Sequence, residues 1–299
     1  MTVNFRGVIP ALVTPFTDNG VDYPALRAHV DWLIKAGVNA VVPCGTTGES
    51  PTLTNEEHNR VVTETVEAAA GRIPVLAGTG SNSTAEAIDM SKHAQKAGAS
   101  GLLLVSPYYN KPTQEGLYRH FVTVAEAAGL PVILYNIPSR CGVNILPETV
   151  AKLAEHELIV GVKEATGDLN QMIRTIELCG PGFLVTCGDD GLSLPLWSVG
   201  GGGVISVAAN AIPGPIIALW REWEAGKVAE ARKAFFDLLP FFKAIFLETN
   251  PIPIKFLMGL SGVMSGRTRL PMCPPSAPVQ QTLKDFYQKW SAHFPAPGK

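Results

Sequence analysis

The sequence predicts an α/β protein, a (β/α)8 barrel (TIM barrel) with a C-terminal helical extension, on three observations. Short apolar runs recur eight times along the first three quarters of the 299-residue chain. A helical stretch with recognisable ends follows each run. The eight units together occupy roughly 225 residues, which is the length expected of such a barrel.

The eight runs are mostly apolar and lack the alternation of apolar and polar residues. That pattern is typical of parallel strands covered on both faces. A doubly wound sheet is the competing architecture, but no dinucleotide fingerprint follows the first strand, so we rank it lower. The predicted strands are 8–16, 40–44, 74–78, 101–107, 131–138, 158–163, 183–187 and 203–207.

Capping residues mark the starts of the helices between these strands. Asp22 can cap the first helix, Thr54 and Glu57 form a capping-box pair for the second, and Ser83 and Glu86 repeat that pair for the third. Glycines end the first four helices. They are Gly37, Gly71, Gly98 and Gly129. Further helices are predicted after Pro147, Asp168, Asp190 and Pro213.

The chain after about residue 227 is predicted to be helical, over 229–248, 253–260 and 279–292. These helices exceed what closing a barrel requires. No low-complexity linker separates them from the strands. We therefore predict a catalytic barrel at residues 1–226 and, at residues 227–299, a helical segment packed on it, here called the annex.

Composition excludes several classes of function. With 46% hydrophobic and 17% charged residues, the chain can fill a core and is not disordered. The net charge of −2 offers no field for nucleic acid or an acidic membrane surface. Five cysteines without a CxxC pair indicate a reducing compartment, and six scattered histidines predict no metal site. Prolines interrupt the longest apolar run, 203–220, so we expect a cytoplasmic protein that does not span a membrane.

The stretch 161–167, Gly-Val-Lys-Glu-Ala-Thr-Gly, places Lys163 near the end of a buried strand. Taken alone, Lys163 reads as a strand end whose amine reaches solvent. A neutral lysine held on rigid backbone is, however, the nucleophile that makes a Schiff base with a carbonyl compound. For an ordinary lysine, neutrality near pH 7.4 costs about 4 kcal/mol. Burial at the centre of a barrel can lower the pKa enough to remove that cost.

Hydroxyl groups concentrate at the C-terminal ends of the strands, where such barrels carry their active sites. A tyrosine such as Tyr135 can accept and return protons if other hydroxyls relay them. Thr47 and the amides of its turn could hold a small carboxylate, and the planar fork of Arg140 also suits one. The structural alternatives are turn residues for the threonines, a core aromatic for Tyr135 and a surface arginine for Arg140. The hydroxyl residues are Thr14, Thr46, Thr47, Thr79, Tyr108, Tyr109, Tyr135 and Ser206.

Five motifs in this order closely resemble the 4-hydroxy-tetrahydrodipicolinate synthase family, formerly called dihydrodipicolinate synthase. Single motifs recur in the wider class I pyruvate aldolases, which include N-acetylneuraminate lyase. The pair Thr46-Thr47 combined with Arg140 favours the synthase. The motifs are GTTGE at 45–49, PYYNKP at 107–112, YNIPSR at 135–140, GVKEATG at 161–167 and NPIPIK at 250–255.

The resemblance implies a role for each catalytic position. Lys163 is expected to form the Schiff base with pyruvate. Tyr135, Thr46 and Tyr109 are expected to be the proton relay, with Tyr109 reaching in from a neighbouring subunit. The family is usually a homotetramer built as a dimer of dimers, and it requires no metal or organic cofactor.

The resemblance also implies four substrate-binding positions. Thr47 matches the residue that binds the pyruvate carboxylate, and Arg140 the one that holds the carboxylate of the second substrate, L-aspartate 4-semialdehyde. Gly188 and Ile205 match positions that line the pocket through their backbones.

Many relatives are inhibited by L-lysine at a separate site on a dimer interface. On spacing alone His58 reads as a helix-surface residue, whereas the resemblance puts it in that site. Asn55 replaces a histidine that is often found there, and Pro51 replaces a small residue. The sequence therefore leaves open whether L-lysine inhibits this chain. The positions that match the site are Ser50, His58, Asn82, Glu86 and Tyr108.

We therefore predict the condensation of pyruvate with L-aspartate 4-semialdehyde, in the diaminopimelate–lysine pathway. One alternative is another pyruvate-dependent aldolase or lyase that acts on a keto-deoxy sugar acid or a sialic acid. A second is a non-catalytic ligand-binding barrel, which the retained lysine, tyrosines, threonines and arginine argue against.

Overall fold

The computed structural model describes residues 4–296, and within them the strands form a curled parallel sheet. The sheet order is β1-β9-β8-β7-β6-β5-β4, with β2 and β3 forming a separate antiparallel hairpin. The strands are β1 (Gly7–Pro10), β2 (Phe16–Thr17), β3 (Gly20–Val21), β4 (Leu76–Gly78), β5 (Gly101–Val105), β6 (Val132–Asn136), β7 (Ile159–Glu164), β8 (Leu184–Cys187) and β9 (Gly203–Ser206).

Two isolated parallel bridges close the sheet into a barrel. Ala11 pairs with Val42, and Val41 pairs with Val75, so the segment 41–42 stands between β1 and β4. The predicted strand 40–44 is thus reduced to two bridged residues. Pro43 follows this segment, and Pro10 and Pro74 lie next to its bridge partners on the neighbouring strands. Proline has no N–H, so these residues cannot extend the hydrogen bonding between the strands. The predicted barrel fold is confirmed.

Helices cover the outside of the sheet, and most of their ends follow the capping signals. The helices are α1 (Tyr23–Ala36), α2 (Asn55–Ala69), α3 (Thr84–Ala97), α4 (Gln114–Ala128), α5 (Pro138–Cys141), α6 (Pro147–Ala154), α7 (Leu169–Cys179), α8 (Ser193–Ser198), α9 (Pro213–Glu224), α10 (Val228–Ala244), α11 (Ile252–Leu260) and α12 (Ala277–Trp290).

The first two predicted caps form as expected. Asp22 accepts a hydrogen bond from Ala25 N, and Thr54 and Glu57 make both bonds of a capping box. Helix α2 ends at Ala69, and its capping residue Ala70 adopts a left-handed conformation one residue before the predicted Gly71.

The capping box predicted for α3 was wrong in part. Ser83 accepts from Glu86 N, but the Glu86 carboxylate takes the hydroxyl of Ser81 instead of returning to the cap. The Glu86 carboxylate therefore faces the loop that follows β4.

Apolar side chains fill the barrel interior beneath the strand ends. Ile9, Leu76, Leu103, Ile133 and Ile205 pack there with almost no exposed surface. A second, larger cluster joins the outer face of the sheet to the helices. The interior layer excludes water from below the C-terminal ends of the strands, which lowers the local dielectric.

The annex contributes α10, α11 and α12. Helix α10 packs along α9, and α12 packs along α11. Aromatic contacts of Phe241 with Trp290 and Phe294 join α10 to the end of the annex. The division of the chain into a barrel at residues 1–226 and an annex at residues 227–299 stays a prediction. Residues 1–3 and 297–299 of these two parts lie outside the described residues. Across residues 4–296 no helix combines the length and apolar character needed to cross a bilayer.

Candidate active site

Adjacent strands bring the candidate residues to one end of the barrel. In the parallel register Tyr135 of β6 pairs with Lys163 of β7, and Lys163 pairs with Thr186 of β8. Neighbouring residues of a strand point to opposite faces, so Lys163 faces inward while Glu164 faces the helices. The strand pairing alone therefore places the amine and the phenol side by side.

The Lys163 amine lies in the interior and not in bulk solvent. The residue is 5% exposed, and its Nζ lies 4.1 Å from the centre of the Tyr135 ring. Burial lowers the pKa of Lys163 to about 8, while the Asp190 carboxyl acts in the opposite direction. In the part of the chain that the structure describes, Lys163 makes no ion pair. At pH 7.4 the remaining cost of neutrality is about 1 kcal/mol, against about 4 kcal/mol for an ordinary lysine.

Tyr135 is a protonated phenol at neutral pH. Burial raises its pKa to about 12, and a hydrogen bond with Thr46 and the charge of Arg140 act in the opposite direction. Thr46 is half-buried at the turn that follows the segment 41–42. The Thr46 hydroxyl thus lies beside the Tyr135 phenol, and the Lys163 amine lies beside the ring of Tyr135.

Asn250, at the start of the NPIPIK motif, joins the two predicted carboxylate-binding residues. Its Nδ2 donates to Thr47 Oγ1 at 3.0 Å, and its carbonyl oxygen accepts from Arg140 Nη2 at 3.1 Å. Thr47 is buried, whereas the Arg140 side chain is exposed. Asn250 Oδ1 is buried without a hydrogen-bond partner. The two residues predicted to bind different substrates are therefore held by one asparagine of the annex.

Gly188 lies directly against the lysine side chain. A Cβ at this position would stand 2.9 Å from Lys163 Cε and 2.7 Å from Ala165 Cβ, closer than ordinary contacts allow. Ile205 is fully buried in β9, paired with Ile9 and packed in the same interior layer as Tyr135. Gly188 leaves room for the lysine, and Ile205 belongs to the floor beneath it.

A cavity of about 360 Å³ lies beside Thr46, Tyr135 and Arg140 and extends to α2 and α3. Two of the predicted catalytic residues, Thr46 and Tyr135, and most of the predicted lysine-site residues share its wall. Asn82 does not line it, and its carbonyl oxygen accepts from Asn110 Nδ2 instead. The lining includes Thr46, Tyr135 and Arg140 on one side and Ser50, Pro51, Asn55, His58, Glu86 and Tyr108 on the other.

His58 is buried, so its interpretation as a helix-surface residue was wrong. It is 3% exposed and its Nε2 lies 2.9 Å from the carbonyl oxygen of Gly78, while Nδ1 has no partner. Burial lowers the pKa of His58, and Glu86 acts in the opposite direction. Sequence spacing missed this because the contact is with Gly78 at the end of β4, which lies 20 residues away in the sequence.

Tyr109 is exposed to solvent and does not line the cavity described above. It is 88% exposed, and its backbone is left-handed with φ 73°. Left-handed backbone at a bulky residue costs on the order of 1–3 kcal/mol and concentrates at functional positions. The structure therefore does not bring Tyr109 to Lys163 within one chain.

The sequence interpretation gave no role to Asn250 or to the carboxyl groups around Lys163. Asp190 is buried and accepts from Ser206, Val207 N and Ala208 N, and burial raises its pKa. The position of Asp190 shortly after the end of β8 was the signal in the sequence that could have indicated a role near Lys163. Asn250 lies in a quoted motif, but its contact with Thr47 spans 203 residues of sequence.

Comparison with known proteins gives one consistent result. The family model for the "Dihydrodipicolinate synthetase family" matches residues 4–289. A curated relative from Geotalea daltonii, named 4-hydroxy-tetrahydrodipicolinate synthase, is 54% identical over 91% of this chain and 94% of its own. The crystal structure of dihydrodipicolinate synthase from Aquifex aeolicus has a TM-score of 0.95 and 44% identity, covering 97% of this chain and 99% of that chain.

Two further solved structures contain small molecules. Dihydrodipicolinate synthase from Acinetobacter baumannii, described as chloride inhibited and complexed with pyruvate, is 40% identical with a TM-score of 0.93 over 96% of this chain and 99% of its own. The enzyme from Cyanidioschyzon merolae with lysine bound is 42% identical with a TM-score of 0.92 over 95% of this chain and 97% of its own. The resemblance seen in the five motifs is confirmed.

Proposed function

The chain belongs to the dihydrodipicolinate synthetase family, and we propose that Lys163 is the amine through which it condenses pyruvate with L-aspartate 4-semialdehyde. The product is 4-hydroxy-tetrahydrodipicolinate, in the diaminopimelate–lysine pathway. The observation that carries the assignment of Lys163 is its buried Nζ, 4.1 Å from the centre of the Tyr135 ring, with a pKa lowered to about 8.

The first half-reaction forms an enamine on Lys163. Neutral Nζ attacks C2 of pyruvate, and the carbonyl oxygen, protonated twice, leaves as water to give the protonated imine. Loss of a proton from C3 converts the imine to the enamine. Of the two protons that the oxygen takes, Nζ supplies one and Tyr135, a neutral phenol, supplies the other; the proton lost from C3 then returns to Tyr135, with Thr46 in the relay.

The second half-reaction uses that enamine as a carbon nucleophile. Its C3 attacks the aldehyde carbon of the semialdehyde, and the aldehyde oxygen takes a proton to become the 4-hydroxyl group. The amino group of the semialdehyde then attacks C2, closes the ring and releases Lys163 as a free amine. The sum is one water lost from the two substrates, with the enzyme regenerated.

Two groups hold the carboxylates of the substrates in this proposal. Thr47 and the amides of its turn bind the carboxylate of pyruvate. Arg140, exposed at the cavity wall, binds that of the semialdehyde with its planar fork. Asn250 contacts both residues and so sets the spacing between the two substrates.

Tyr109 completes the relay of a neighbouring copy, and the chain acts as a homotetramer built as a dimer of dimers. Its 88% exposure and left-handed backbone support a role outside its own chain. Sedimentation velocity measures this assembly directly. A monomer that has full activity would contradict the role of Tyr109.

We propose that L-lysine inhibits the enzyme by binding in the part of the cavity lined by Ser50, His58, Glu86 and Tyr108. The Glu86 carboxylate suits an ammonium group, and Ser50, His58 and Tyr108 supply further polar contacts. Asn55 and Pro51 stand where relatives carry other residues, so we propose weak inhibition. An inhibition curve with L-lysine, and Glu86→Gln as the variant that abolishes it, tests the site.

An assay that couples product formation to the NADPH-dependent reductase of the next step tests the substrates. Pyruvate and the semialdehyde should together support NADPH oxidation, and omission of either should stop it. Activity with a keto-deoxy sugar acid or a sialic acid, and none with the semialdehyde, would assign the chain to a lyase instead.

A further inference from the structure

A buried ion pair ties the annex to the turn that carries Thr46 and Thr47. Lys255 Nζ, on α11, donates to Glu49 Oε1 at 2.5 Å and to the carbonyl oxygen of Thr14 at 2.8 Å. The exposed fractions of the two side chains are 0% for Lys255 and 2% for Glu49. The reaction described above uses neither residue.

Stability alone does not account for this pair. Taking two charges out of water is costly, and apolar replacements of a buried ion pair are often neutral or stabilising. Glu49 also adopts left-handed backbone with φ 54°, which a non-glycine residue occupies at a cost of about 1–3 kcal/mol. Buried charge and backbone strain at one residue indicate that its position matters.

The hydrogen bonds connect the pair to the catalytic turn. Glu49 N donates to the carbonyl oxygen of Thr46 at 3.1 Å. Thr14, whose carbonyl oxygen Lys255 holds, donates from Oγ1 to the carbonyl oxygen of Gly48 at 2.7 Å. The single amine of Lys255 therefore holds the turn both through Glu49 and through Thr14.

The annex contacts the same turn a second time. Asn250, five residues before Lys255, donates to Thr47 Oγ1, and Arg269 N donates to the other Glu49 oxygen at 2.9 Å. These contacts join residues more than 200 positions apart in the sequence. They make the turn depend on the annex for its placement.

We propose that Glu49 and Lys255 are positioning residues for the pyruvate half-reaction, which hold Thr46 and Thr47 at the distance from Lys163 that binding and proton relay require. This inference rests on the function proposed above. It assigns the annex a part in pyruvate binding through a pair that does not touch the substrate.

The test uses the double variant Glu49→Gln/Lys255→Met in the full chain. Both charges are removed together, so no unpaired charge is left buried, and both side chains keep nearly their volumes. Lys233→Met is the matched control, because Lys233 is also an annex lysine paired to a carboxylate, Asp237, but on the exposed surface of α10. The measurements are KM for each substrate, kcat and the thermal unfolding midpoint.

We expect the double variant to unfold cooperatively, with KM for pyruvate raised about tenfold or more, equivalent to roughly 1.4 kcal/mol. Its kcat should fall, because Thr46 moves with the turn. KM for the semialdehyde should change less, since Arg140 is held by the backbone of Asn250. The control should match the unaltered enzyme. A folded double variant with unchanged KM for pyruvate would overturn the inference.

If the double variant does not fold, Lys255→Arg provides the same test with the charge retained. The bulkier fork displaces the turn, so KM for pyruvate should rise while the fold remains. A lowered unfolding midpoint with unchanged KM would show a structural role only and overturn the inference. Failure to trap pyruvate on Lys163 in the unaltered enzyme would remove the proposed function itself, which distinguishes the two failures.

Discussion

The pH dependence of the first half-reaction follows from the state of the Lys163 amine. Only the neutral amine attacks pyruvate, and burial lowers its pKa to about 8 from the ordinary 10.5. At pH 7 a group of pKa 8 is neutral in about one molecule in eleven, whereas an ordinary lysine is neutral in about one in three thousand. The fold therefore increases the reactive fraction roughly 300-fold at that pH.

The quantity to measure is kcat/KM for pyruvate between pH 6 and pH 10. Because the enzyme works in two half-reactions, this ratio depends on free enzyme and pyruvate and not on the second substrate. The carboxyl group of pyruvate stays ionised throughout that range. We expect a rise of about tenfold per pH unit below pH 8 and a plateau above it.

The plateau should continue to the alkaline end of the range, since burial raises the pKa of Tyr135 to about 12 and keeps the phenol protonated. A midpoint near pH 10 would show that Lys163 behaves as an ordinary exposed lysine. A flat profile from pH 6 would show that proton loss from the amine does not limit the reaction. Either result would refute the account of how burial activates Lys163.

Three substitutions separate the roles assigned to the other residues. Arg140→Ala should leave covalent trapping of pyruvate largely intact and raise KM for the semialdehyde at least about 100-fold, as loss of a charged bidentate contact does. Steady-state kinetics with both substrates measures the two KM values. An equal rise in KM for both substrates would contradict the assignment. Tyr135→Phe keeps the ring beside Lys163 but removes the hydroxyl, so kcat should fall about 100-fold or more while KM for pyruvate changes little. An unchanged kcat would show that another residue relays the proton. Gly188→Ala places a methyl group 2.9 Å from Lys163 Cε, so the lysine side chain must move. We therefore expect kcat/KM for pyruvate to fall more than about tenfold while the fold is retained. An unchanged kcat/KM for pyruvate would show that the site has room for the methyl group.

The proximity of Tyr135 and Lys163 could be predicted from sequence because both residues lie at strand ends. Parallel strands of a barrel bring those ends together, so Tyr135 and Lys163 become neighbours by register alone. The capping signals at Asp22 and Thr54 act within one helical turn and are visible locally. In each case the information lies within a few residues or in the regularity of the barrel.

Contacts between distant segments could not be predicted in this way. The bonds of Asn250 to Thr47 and of Lys255 to Glu49 depend on where the annex folds back onto the barrel. The contact of His58 Nε2 with the carbonyl oxygen of Gly78 likewise joins α2 to the end of β4. The predicted strand 40–44 is apolar enough for a full strand, but the prolines around it limit its pairing to two bridges.

Reduction of the enzyme with borohydride in the presence of pyruvate tests the central claim most directly. Mass spectrometry of the digested protein should show the peptide that contains Lys163 heavier by pyruvic acid less one oxygen atom, and Lys163→Ala should abolish that gain. The gain on another lysine, or on none, would contradict the assignment of Lys163 as the covalent catalyst.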